Sequence, residues 1–115
     1  MTSEMPKILT DSLYQMLREG QIREFNARRA KGEACDLRGA DLRGVDLRGM
    51  NTEGIDLSDC YLRQADLRGL NLSRCRMEGA SLFGANVSGV FFPPDLSADE
   101  IRLSVEHGTR LRPRT

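Results

Sequence analysis

The chain has 115 residues with 17 basic and 17 acidic side chains, so it carries no net charge and no global attraction for nucleic acid or an anionic membrane. Aromatics are 5%, Trp is absent and the apolar runs are short, which argues against an ordinary layered core and against a membrane-spanning helix. Three cysteines without a CxxC spacing make no disulfide framework, and a reduced, cytoplasmic protein is the reading that follows.

The opening stretch MTSEMPKILTDS has no basic region followed by an apolar one, so no secretory signal is expected. The next segment, 10–31, reads as helical. Thr10 is placed for an N-cap, Gly20 for a break and Gly32 for a second stop. Leu13, Met16 and Leu17 share one face, as do Ile22 and Phe25.

After Ala34 the sequence falls into fives: CDLRG, ADLRG, VDLRG, MNTEG, IDLSD, CYLRQ, ADLRG, LNLSR, CRMEG, ASLFG, ANVSG, VFFPP, twelve units over residues 35–94. The third position is Leu in eight of them, at Leu37, Leu42, Leu47, Leu57, Leu62, Leu67, Leu72 and Leu82. Met77, Val87 and Phe92 continue the expected core column, and Thr52 interrupts it. The first position is small or apolar throughout, the second is Asp or Asn in eight units, and the fifth is Gly in eight. Alternation along a short extended segment sends the first and third residues inward and the second outward. Gly at the fifth supplies a corner. Each unit is then one side of a coil. Met50, Leu70 and Val90 recur every twenty residues, which fits four sides, whereas Ile55 and Leu70, fifteen apart, fit three.

Tandem A(D/N)LxG units, complete as ADLRG at 40–44 and 65–69, resemble those of the bacterial pentapeptide-repeat proteins. The resemblance implies an all-β solenoid: a right-handed, four-sided β-helix, here of about three coils. A helical lead carrying a Phe-Asn pair, here Phe25-Asn26, is also similar to family members. Open coil ends need caps, so the expected organisation is a helical cap over 1–34, the repeat over 35–94, and a C-terminal helix and tail over 95–115. Pro93-Pro94 ends the coil, Ser97 with Glu100 forms a capping box, Leu96 and Ile101 are spaced as a staple, and Gly108 closes the helix. The tail TRLRPRT is basic and is expected to fray.

Catalytic chemistry finds no constellation. His107, the one histidine, sits in the last turn of the expected helix, where it suits the helix dipole and has no placed nucleophile. Cys35, Cys60 and Cys75 occupy the inward first position, so they read as buried packing residues and not as metal ligands or redox centres. No enzyme activity, no cofactor and no metal are expected.

The surface is more informative. Asp46, Arg48, Asp66 and Arg68 interleave on one side as a solvated lattice of opposite charges. With four sides, another stacks Arg43, Tyr61, Arg63 and Phe83, the residue types of protein interfaces. The plainer reading is that the C-terminal segment folds over Phe83. Phe91, Ile101 and Val105 mark the C-terminal end as a contact for a homodimer, or for a helix capping its own coil. The expected function is therefore a non-catalytic scaffold that binds an unidentified protein. The alternative is a DNA mimic acting on type II topoisomerase, as in the quinolone-resistance members the resemblance brings to mind. The repeat holds seven arginines against eight carboxylates, far from the one negative charge per roughly 1.7 Å of axis that duplex DNA presents, and this weighs against the mimic and against nucleic-acid binding.

Overall fold

The computed structural model describes residues 11–114. Its regular elements are three α-helices: α1 (Ser12–Arg18), α2 (Ile22–Ala30) and α3 (Ala98–His107). The cap expected at Thr10 lies outside the described residues. Asp11 caps α1 instead, its carboxylate accepting from the Leu13 N–H at 2.7 Å. Ser97 caps α3 through the Glu100 N–H at 3.1 Å, and Gly108 ends it in the left-handed conformation.

The expectation of an all-β solenoid, a β-helix with strands for sides, is corrected by the structure. Among the described residues there is no β-strand and no sheet. Between α2 and α3 the chain is a succession of tight turns linked by isolated parallel bridges, Asp41 to Tyr61, Asp46 to Asp66, Asp56 to Arg76, Tyr61 to Ser81, Asp66 to Asn86 and Asn71 to Phe91. The reason lies in how each unit spends its five residues. The N–H opening one unit donates back to the third-position carbonyl of the unit before, as Ala40 does to Leu37 at 2.9 Å. That bond closes a four-residue turn whose third member is the repeat glycine at positive φ. Only the second-position residue is left to bridge, and one residue is too few for a strand.

The bridges fix a step of twenty residues, four units per round. Rounds are tied in both directions: the Leu42 N–H donates to the Tyr61 carbonyl at 2.9 Å and the Tyr61 N–H to the Ala40 carbonyl at 2.9 Å. The eight repeat leucines are fully buried, and Met77 nearly so. Val87 and Phe92, expected in the same column, are only half-buried, because the repeats stop at Pro94 and no further unit stacks on them. Thr52 is half-buried, and its hydroxyl donates to the Asn71 carbonyl at 2.8 Å. Cys35 departs from expectation as well. It is half-buried because it opens the first round, while Cys60 and Cys75 are buried.

A stack of turns leaves unpaired backbone groups at both ends, and buried ones are costly. At the first end the helices supply donors. The Tyr14 hydroxyl donates to the Asp41 carbonyl (2.6 Å), Arg18 to Arg43 (2.9 Å), Asn26 to Gly49 (2.9 Å) and Arg29 to Glu53 (2.6 Å). At the far end the segment from α3 onward supplies acceptors. The Val105 carbonyl receives the Gly84 N–H (3.0 Å), the Ser104 hydroxyl the Leu82 N–H (2.9 Å) and the Leu111 carbonyl the Gly79 N–H (2.8 Å). The tail expected to fray is thus ordered as far as Arg114. Leu111 is almost wholly buried, and Arg110 bridges Ser81 in antiparallel sense.

Candidate functional site

The twenty-residue step stacks Asp41, Tyr61 and Ser81 directly, with Arg43, Arg63 and Phe83 two residues beyond each. The structure therefore brings together all four residues singled out on this side. Arg43 grips Asp41 with both arms, Nε to Oδ1 at 2.8 Å and Nη2 to Oδ2 at 2.7 Å. Those bonds hold the Asp41 carboxyl below the usual carboxylate range. Arg63 lies over the Phe83 ring, 5.0 Å from its centroid, a cation–π contact. Phe83 keeps 38% of its surface exposed.

Two residues that sequence reasoning missed border this side. Arg110 lies over the Tyr61 ring at 5.3 Å and donates to the Tyr61 hydroxyl (3.0 Å) and the Gly79 carbonyl (2.9 Å). At the other end Arg18 of α1 reaches the Arg43 carbonyl. The C-terminal return does pass over Phe83, as the plainer reading held. A Cβ on Gly108 would stand 2.9 Å from Arg63 Nη2 and 3.5 Å from Phe83 Cβ. The signal for Arg110 was Leu111, a lone apolar residue in a basic tail, which marks a docked segment. Arg18 carries no such signal.

The side bearing Asp46, Arg48, Asp66 and Arg68 is closed on itself. Each Arg pairs with the Asp of its own unit, at 2.8 and 2.7 Å, and Arg48 also reaches Asp66 across the rounds at 3.4 Å. The Asp66 carboxyl is lowered to about 2, chiefly by the Arg68 hydrogen bond. Of the residues considered for a dimer contact, Phe91 is 66% exposed. Ile101 and Val105 pack partly buried against their own chain's core. These three do not form one free apolar patch.

Among the described residues no three His, Cys, Asp or Glu side chains converge as metal ligands, and no helix is long and apolar enough to cross a membrane. Burial pushes the Cys60 thiol up to about 12, and its sulfur contacts the Leu37 carbonyl at 2.8 Å.

Compared with known families, the chain matches the model described as Pentapeptide repeats, in eight copies over residues 17–49 and 55–92. The match begins inside α1 and includes α2, so the family pattern reaches into the helical lead. No curated protein and no solved structure matches the chain.

Proposed function

Since the chain belongs to the pentapeptide-repeat family, we propose that it is a non-catalytic scaffold whose Arg43–Tyr61–Arg63–Phe83 side contacts a partner protein. The family supports an interaction role in general terms, and the choice of side rests on one observation. Here two guanidinium groups lie on aromatic rings in adjacent rounds. Flat, partly desolvated cations on rings are the groups that concentrate binding energy at protein interfaces. The neighbouring Asp46–Arg68 side offers nothing comparable, because its charges already satisfy one another.

The test is affinity capture from the native host with the wild-type chain and with Arg43→Glu plus Arg63→Glu, circular dichroism confirming that the fold survives. Loss of captured proteins with the variant supports the assignment. An unchanged set on a folded variant makes this side mere solvated surface. Inhibition of gyrase supercoiling by the purified chain at micromolar concentration would favour the topoisomerase reading instead.

A further inference from the structure

Four guanidinium groups line this side from end to end. Arg18 touches the Arg43 carbonyl, Arg43 sits one round before Arg63, and Arg110 lies on Tyr61 in the same round as Arg63. Among the described residues Asp41 is the one carboxylate ion-paired with them, and it is committed to Arg43. Neither Arg63 nor Arg110 has a carboxylate within ion-pair distance among the described residues. Asp59 lies at the adjoining corner beside Gly79. A chain without net charge has thus gathered a narrow basic stripe on one side.

We propose that this stripe binds an acidic, extended segment of a partner protein, its carboxylates docking on Arg63 and Arg110. The inference rests on the reading that this side contacts protein, and it names the chemistry of what is contacted. Arginine presents a planar fork that suits carboxylates, and the rings beneath Arg63 and Arg110 hold their guanidinium planes. Duplex DNA fits worse. The flanking side that carries Asp36, Asp56, Asp59 and Glu78 against Arg38 and Arg76 would repel a phosphate backbone broad enough to reach it. A single peptide strand can follow the stripe without meeting it.

The experiment measures fluorescence anisotropy of a labelled oligoglutamate peptide with the full chain at low salt. A labelled oligolysine and a short labelled DNA duplex are run beside it. Oligoglutamate should bind, oligolysine should not, and salt should weaken the binding. Arg63→Gln should weaken it several-fold, and Arg63→Gln with Arg110→Gln by about tenfold. Arg48→Gln with Arg68→Gln, which removes equal charge from the neighbouring side, should leave it unchanged. Arg63→Gln keeps the Arg110 bonds to Gly79 and Tyr61, so it guards against a double variant that loosens the C-terminal return. The proposal is overturned by absence of oligoglutamate binding, by equal losses in the two double variants, or by tighter binding of the duplex. If host proteins are lost from Arg43→Glu plus Arg63→Glu while oligoglutamate is ignored, the side stands and only the acidic-peptide chemistry fails. If capture is unaffected, the side itself is wrong.

Discussion

Replacing Asn26 by alanine removes a clamp between α2 and the first round of the repeat. Its amide donates to the Gly49 carbonyl at 2.9 Å and its oxygen accepts from the Asn51 N–H at 2.7 Å. Gly49 is exposed, so its carbonyl regains water and the loss there is about 0.5–1 kcal/mol. Asn51 is half-buried, and its stranded N–H costs about 1–2 kcal/mol. Alanine returns about 0.5 kcal/mol through its better helix propensity. The net expectation is a loss of about 1.5 kcal/mol, read by urea denaturation with an unchanged slope, or a fall in Tm of roughly 6 °C. Asn26→Asp separates the two bonds. It keeps the acceptor for Asn51 but turns a carboxylate oxygen toward the Gly49 carbonyl, which raises that carboxyl. At pH 7 Asn26→Asp should be at least as unstable as Asn26→Ala. It should recover relative to Asn26→Ala as pH falls and the acid protonates, because the protonated form can donate to Gly49. An alanine variant within about 0.5 kcal/mol of wild type, the range of ordinary surface changes, would refute the clamp. So would an aspartate variant matching wild type at neutral pH.

Gly44 and Gly79 occupy the same repeat position at positive φ, but a Cβ meets nothing within 4 Å at Gly44 and would collide with Asp59 Oδ1 at Gly79. Gly44→Ala should cost about 1–2 kcal/mol of left-handed strain, and Gly79→Ala clearly more. Equal losses in thermal denaturation would contradict the close approach. A thiol reagent on the native chain should label half-buried Cys35 first and Cys60 last, because Cys60 is fully buried and its thiol is pushed up to about 12. Mass spectrometry finding Cys60 labelled early would contradict its placement. Glu100 is held below its ordinary carboxyl range, chiefly by its hydrogen bond to Arg112. The stabilisation this lends the C-terminal return is present above that ordinary range and lost as pH falls through the lowered value. The protection of amides over 109–114, taken relative to their intrinsic exchange rates, should therefore fall in acid more in wild type than in Glu100→Gln, and an equal fall would argue that another group controls the return.

The five-residue period by itself determined which side chains go inside. The full burial of the eight leucines from Leu37 to Leu82 follows from spacing, since any regular conformation repeated every five residues puts equivalent positions in equivalent surroundings. The helix ends at Ser97 and Gly108 were equally local, set by a capping hydroxyl and a left-handed glycine. Alternation misled on the character of the sides. It treats three residues as strand, whereas the turn bond that closes the units consumes all but one of them, and that bond depends on the backbone of the corner residue, at positive φ in Asp59 and Gln64 as in the glycines. The number of units per round also lay beyond the sequence, which allowed three or four. It was decided when the backbone of one round paired with the next at a step of twenty. The stripe was half legible. Arg43 and Arg63 belong to the repeat, so their stacking follows from its step, but Arg18 and Arg110 come from outside it. Arg110 meets Tyr61 across forty-nine residues of chain. Only the need to cap the exposed N–H groups of the last round draws the tail back over that side, and such long-range backbone accounting leaves no periodic mark in a sequence.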